Sequence, residues 1–364
     1  MNQASIWNRL RAMLADEVHH LTTVNPSDRL WLLPPFAALA TGLPLLIGAY
    51  LNQMNYALVA SLGSMVFLYL PQSSLSHRMV TLMTCAFGVT ACYGLGVLTH
   101  LTPGLVIPVL MFIAICSTMV CRFYGMGPPG SLFFIMAAAL GAYAPVGVQQ
   151  LPLMVGLVAL GTMIACILAF VYSVVALRIR PPKAPPEQPL ALFDFVIFDS
   201  VVIGAFVGIS LLVAQLLDLQ RAYWVPISCI AVIQGQSLRA VWNRQLQRVL
   251  GTAVGLLVAW ALLTMPLNHW SIALSITLLS LIIESVVVRH YGVAVMFITP
   301  LTIFLAEAAV TDRGAAGALM QARLFDTIVG CVVGLIGGVC LHSPGFRRVL
   351  GKPLRRLLPA SVIA

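Results

Sequence analysis

Charge is what this chain has least of. Asp, Glu, Lys and Arg make up 9% of its 364 residues, while 60% are hydrophobic and the mean hydropathy is +0.98. A soluble domain covers its exterior with roughly 25% charged residues. A water-facing exterior is therefore excluded, and lipid is the expected solvent. The cysteines lack any pairing pattern: Cys85, Cys92, Cys116, Cys121, Cys166, Cys229, Cys331 and Cys340 all lie in apolar segments. None forms a C-x-x-C pair and no histidine stands at ligand spacing, so they read as small buried apolar side chains and neither a disulfide framework nor a metal is expected. There is no Walker A sequence, no H-E-x-x-H, no G-x-S-x-G and no paired acidic motif, which leaves no catalytic constellation and no cofactor to expect. The first thirty residues hold Asp16, Glu17, His19 and His20 without an apolar run, unlike a cleaved signal peptide.

What the chain does have is apolar runs. A spanning helix needs about 20 mostly apolar residues. Such blocks fall near 31–51, 56–71, 79–101, 104–121, 128–148 and 152–177, and again near 193–217, 221–236, 247–266, 270–288, 291–310 and 319–341. The fold expected is an all-α, polytopic integral membrane protein of about twelve transmembrane helices. Between the two sets of six, residues 179–192 form a proline-rich cytoplasmic linker, stiff and extended rather than a domain. Residues 1–30, with Ile6, Leu10, Met13, Leu14 and Val18 at helical spacing, read as a cytoplasmic interfacial helix. Residues 343–364 read as a basic cytoplasmic tail.

The net charge of +9 lies between apolar blocks rather than in one patch, so nucleic acid is not an expected partner. Membrane orientation explains it. With both termini in the cytoplasm, Arg221, Arg313 and Arg323 alone among the 20 Lys and Arg fall outside.

At an offset of 167 residues, Arg122-Phe123-Tyr124-Gly125 matches Arg289-His290-Tyr291-Gly292, and Tyr56, Ser61 and Gly88 match Tyr223, Ser228 and Gly255. Residues 31–178 and 193–342 are thus expected to be two parallel six-helix repeats related by an axis along the membrane normal. The second span of each half is short and ends in a polar turn, Gln72-Ser73-Ser74 or Gln234-Gly235-Gln236-Ser237. Interrupted helices are where repeated transporters place their substrate sites.

Charges inside spans are costly and face a partner or a cavity. Glu284, Glu307, Arg323 and Asp326 qualify, as do Asp194 and Asp199 at the start of helix seven. Arg323 and Asp326 are three apart and can pair. They read either as a structural ion pair, with Glu307 in reach, or as a gate and proton-coupling group. Arg239, Arg244 and Arg248 are expected on the cytoplasmic approach to helix nine, as topology determinants or as a vestibule whose guanidinium forks suit carboxylates. Arg122 and Arg289 each precede a tyrosine by two, Tyr124 and Tyr291, an arrangement suited to an aromatic carboxylate or to an interfacial belt. Pro128-Pro129 are expected to start helix five, exposing backbone N–H groups to an anion. Pro300 is expected to break or kink helix eleven.

Gln236-Ser237-Leu238-Arg239, then Arg244, Arg248, Gly251-Thr252 and Gly255, resemble the fusaric acid resistance family, relatives of the aromatic acid exporters. So do Arg289-His290-Tyr291-Gly292 running into Phe297-Ile298-Thr299-Pro300, and Arg323-Leu324-Phe325-Asp326-Thr327 followed by Gly330. Gly127-Pro128-Pro129-Gly130 with Phe133-Phe134 resembles the same membrane domain in the first half. Many members of that family carry a sizeable cytoplasmic domain beside each membrane half; here the sequence shows a linker and a tail. The resemblance implies an exporter of small, aromatic or other organic anions in the bacterial inner membrane, with membrane lipids around it and a periplasmic adaptor protein or a homo-oligomer as partners. Residues implied for substrate are Arg122, Tyr124, Pro128, Gly130, Gln236, Arg239, Arg244, Arg248, Arg289, Tyr291, Thr299 and Pro300. The alternatives left open are a passive organic-anion channel and a membrane scaffold subunit of an efflux assembly; an enzyme is not expected.

Overall fold

A computed structural model describes residues 23–184, 192–265, 267–307 and 316–356. Among these, every regular element is helical. The first half holds α1 (Leu33–Tyr50), α2 (Met54–Ser64, prolonged by a 3-10 turn to Tyr69), α3 (Leu75–Leu98), α4 (Val106–Phe123), α5 (Leu132–Ala142) and α6 (Leu151–Ile179). A π-helical stretch, Leu192–Phe198, leads into α7 (Asp199–Leu216), α8 (Trp224–Ile233), α9 (Leu238–Leu263), α10 (His269–Val286), α11 (Tyr291–Glu307) and α12 (Ala316–His342). A further helix, α13 (Pro344–Arg356), follows. The interfacial helix expected over residues 1–30 lies outside the described residues up to residue 22, and so do residues 357–364 of the tail.

Local chemistry sets several boundaries. Prolines occupy the first turn of α1, where their missing N–H costs nothing. Ser237 Oγ accepts from Ala240 N at 3.2 Å to cap α9. Asn268 and Ser271 cap α10 reciprocally, at 2.7 and 2.8 Å. The α1–α2 and α7–α8 turns each use a short polar residue at positive φ, Asn52 (54°) and Asp218 (51°), the two side chains that best tolerate that region after glycine.

Among the described residues, eight helices, α1, α3, α4, α6, α7, α9, α10 and α12, are long and apolar enough to cross a membrane. The shorter apolar ones are α2, α5, α8 and α11, the second and fifth of each half. At 1.5 Å per residue, the ten residues of α8 rise only about 15 Å, half of a roughly 30 Å hydrocarbon core. The short second helices agree with the sequence reading. The fifth helix of the first half corrects it: where a span over 128–148 was expected, α5 covers only Leu132–Ala142. Gly130 at φ +58° breaks the chain before it, and Pro145 follows its end and cannot continue a helix. Pro128 is therefore not at the first position of a helix, and no helix N-terminus stands there to receive an anion.

Two more expectations are corrected. α9 starts at Leu238, nine residues before the apolar block, because a capped helix tolerates a polar first half that hydropathy does not register. Of the break or kink expected at Pro300, the break is excluded, since α11 runs through it. The carbonyl that Pro300 cannot serve belongs to Met296, and that oxygen lies against Gly255, where a Cβ would stand 2.7 Å away.

The packing pairs of the first half recur in the second. α3 packs on α5 and α6, α2 on α6, α1 on α2 and α6, and α4 on α5; correspondingly α9 packs on α11 and α12, α8 on α12, α7 on α8 and α12, and α10 on α11. Across the halves, α1 meets α10 as α7 meets α4, and α2 meets α11 as α8 meets α5. One core draws on both halves, with Leu45, Ile113, Ile135, Ile203, Ile276 and Phe304 in it. A second, around Leu82, Tyr93 and Phe134, belongs to the first half. Short and long helices approach closely because glycine faces backbone. A Cβ on Gly161 would fall 1.7 Å from the carbonyl oxygen of Ala60, and one on Gly330 2.4 Å from that of Val225. Such contacts replace the hydrophobic drive that lipid does not supply.

Candidate functional site

α12 carries two charges that a long apolar helix would otherwise exclude. Arg323 and Asp326 are 2% and 1% exposed, and three residues of separation put both on one helix face. The Arg323 guanidinium stacks over the indole of Trp224, 3.3 Å from the ring centroid, and its Nη2 donates to Thr302 Oγ1 at 3.0 Å. Trp224 opens the short α8, and Thr302 lies on α11 two residues after Pro300. The site therefore joins both short helices of the second half to α12. α6, the counterpart of α12, has no charge before Arg178, so this buried ionic site belongs to the second half. A guanidinium held on an aromatic face keeps its orientation, and its planar fork suits a carboxylate. Glu307 closes α11, but its side chain lies outside the described residues.

Thr299, 2% exposed, spends its hydroxyl on the carbonyl of Val295 at 3.0 Å, while its own carbonyl accepts from Thr302 Oγ1 at 2.9 Å. It thus supports the residue that holds Arg323. Pro300 is buried within the same turn.

The arginines of α9 are not gathered in one vestibule. Arg239 is exposed, Arg244 half-buried and Arg248 6% exposed. Arg248 sits ten residues into the helix, about 15 Å along it, where its Nη1 donates to the hydroxyl of Tyr291 at 3.4 Å. Arg289 is exposed in the α10–α11 turn, where its carbonyl accepts from Asn25 N at 2.8 Å.

Its counterpart Arg122 is used differently. It ends α4, donates to Asp199 Oδ2 at 2.7 Å and to the carbonyl of Phe195 at 2.9 Å, and lies 4.4 Å from the Phe195 ring centroid. Asp199 is shared with Arg347 of α13, and Asp194 pairs with Arg355 of the same helix at 3.3 Å. These contacts dock α13 onto the π-helical entrance to α7. Tyr124 is 61% exposed and touches Phe123 edge-on. The repeated R-x-Y-G sequence thus marks equivalent turns whose arginines have different partners.

Glu284, 8% exposed, pairs with Arg29 of the N-terminal segment at 3.0 Å. Arg29 was not singled out in the sequence, because an exposed-looking arginine before the first span carries no pattern. Also missed was a polar cluster at the meeting of the halves. Within the first half, Tyr69 donates to the carbonyl of Gly130 at 2.7 Å. Gln234 Nε2 donates to Ser131 Oγ at 2.9 Å, which in turn meets Thr118 Oγ1 at 2.8 Å. The cluster takes Gln234, while Gln236, two residues on, is exposed. Among the described residues, no group of three His, Cys, Asp or Glu is placed to hold a metal.

Residues 201–337 match the model of a family described as fusaric acid resistance protein-like. The chain is also similar to the uncharacterized membrane protein YvaC of Bacillus subtilis (strain 168), 36% identical over 155 residues. That stretch is 42% of this chain and 24% of the relative, so the match spans about a quarter of the relative's length. No solved structure matches the chain. The matched residues run from the first turn of α7 into the last turns of α12 and include Trp224, Thr302, Arg323 and Asp326, so it is over α7 to α12 that the chain is similar to the fusaric acid resistance protein-like family.

Proposed function

We propose that the protein is a multi-pass secondary transporter of the bacterial inner membrane that exports small organic anions, aromatic carboxylates above all. The observation that carries this reading is the buried Arg323 guanidinium, stacked on Trp224 and bonded to Thr302, with Asp326 one turn along the same helix. A cation on an aromatic face offers both parts of an aromatic acid a partner. The neighbouring carboxylate is a group through which proton uptake can be linked to anion release. The matching helix pairings of the two halves and the distribution of Lys and Arg support two parallel six-helix repeats with both ends in the cytoplasm. Arg239 and Arg244, at the start of α9, then stand where cytoplasmic anions arrive. Counterflow of a labelled aromatic acid in proteoliposomes tests the reading. Accumulation above the external concentration is expected when a proton gradient is imposed, and simple exchange without one. Equal fluxes in both conditions would favour a channel. No flux of any aromatic or aliphatic acid would end the proposal.

A further inference from the structure

A small open cleft lies where the N-terminal segment, the turn before α3 and the end of α6 meet. Arg78, Arg180, Lys183, Tyr172 and Asp28 line it. Arg78 is 6% exposed. The one hydrogen bond of its guanidinium among the described residues runs from Nε to the carbonyl of Ser73, at 2.7 Å, which leaves the two η nitrogens as donors for the cleft it lines. Asp28 is the carboxylate in place. Arg180 Nη1 reaches its Oδ1 at 3.4 Å and its carbonyl at 2.8 Å, and Lys183 Nζ pairs with its Oδ2. The Lys183 hydrogen bond and the two positive charges hold the Asp28 carboxyl below its ordinary range.

Geometry limits what Asp28 can do here. A planar carboxylate has two oxygens, and both are taken by Arg180 and Lys183; no bond joins Asp28 to Arg78. A phosphate monoester, as in phosphatidic acid, presents three non-ester oxygens and can accept from all three cations at once. Trp31 and Ile179, next in sequence to the lining residues Leu30 and Arg180, are 74% and 56% exposed, and aromatic, aliphatic and basic side chains are the combination found at headgroup level.

We propose that this cleft binds the phosphate of an anionic phospholipid headgroup from the adjoining leaflet, with Asp28 as a built-in competitor. The phosphate would engage Arg78, Arg180 and Lys183 and release Asp28. The segment released is the one that reaches the second half, through Asn25 N to the carbonyl of Arg289 at 2.8 Å and Arg29 to Glu284 at 3.0 Å. Lipid occupancy is thereby coupled to the contact of the N-terminal segment with α10 and the turn after it.

The test uses the full chain in nanodiscs of phosphatidylcholine with or without phosphatidic acid, and in detergent with inorganic phosphate or chloride at equal ionic strength. The readout is the thermal unfolding midpoint. Phosphatidic acid is expected to raise it, and Arg78→Gln to remove that rise. Asp28→Asn should lower the concentration needed about tenfold, the loss of one competing charge contact. If Arg78→Gln fails to fold, Lys183→Gln, at an exposed position, should remove most of the rise. A rise with inorganic phosphate as well would support the cleft with free phosphate as a second source. A rise that persists in both Arg78→Gln and Lys183→Gln, or no rise with either probe, overturns the proposal.

Discussion

The guanidinium of Arg323 lies 3.3 Å from the ring centroid of Trp224, so the first turn of α8 fixes the charge that α12 carries into the apolar interior. Trp224→Phe keeps an aromatic face and is expected to cost about 1–2 kcal/mol. Trp224→Ala also opens a cavity and should cost about 3–5 kcal/mol. Unfolding of the detergent-solubilised protein measures both. Similar losses for the two variants would mean that the aromatic face does not hold the guanidinium.

Coupling is expected to depend on Asp326. Asp326→Asn should retain exchange of an aromatic acid at zero pH gradient and lose accumulation when a gradient is imposed. Accumulation by Asp326→Asn in proteoliposomes would assign this carboxylate a purely structural part.

Arg29 and Glu284 should behave as a pair. Arg29→Ala leaves a buried carboxylate without its counter-charge, a loss of about 3 kcal/mol where burial is deep. Adding Glu284→Gln should recover part of the stability, so the double variant is expected to unfold later than Arg29→Ala alone. Strictly additive losses would show that the two side chains do not act together.

α6 contains its own control for helix packing. Gly161→Ala places a methyl 1.7 Å from the carbonyl oxygen of Ala60 and must push α2 from α6, at about 1–3 kcal/mol or more. Gly156→Ala meets nothing within 4 Å and should be neutral or stabilising by up to about 1 kcal/mol. Melting curves of the two variants give the comparison; equal effects would refute the close approach.

Orientation can be read with single introduced cysteines in a variant whose eight native cysteines, exposed Cys116 among them, are replaced by serine or alanine. Labels at Gly147 and Asn268, both exposed, are expected to react with an impermeant reagent from the periplasm. Labels at Ser76 and Ala184, also exposed, should react only from the cytoplasm. Two positions reacting from the opposite side would require a different span count.

Much of the helical framework was legible before any coordinates. Apolar blocks locate all twelve helices from α1 to α12, because lipid leaves the chain no other way to satisfy its backbone polar groups. The short second helices were legible too, from polar turns closing their apolar runs. The short α5 was not: it is cut by Gly130 at positive φ inside a segment that hydropathy reads as continuous. The start of α9 was hidden for the opposite reason, since five of its first ten residues are polar yet the segment is helical.

Sequence by itself determined that this chain resides in lipid, where its helices fall, and that Arg323 and Asp326 share one face of α12, since these follow from composition and from the 3.6-residue period. Tertiary structure alone decided their company. Trp224 and Thr302 come to Arg323 from about 99 and 21 residues away, by the packing of α8 and α11, and Glu284 finds its counter-charge in Arg29, 255 residues distant. No local pattern encodes such pairs, because a partner across a helix interface is chosen by close packing and by the cost of leaving a buried charge alone, and both depend on the whole bundle being assembled.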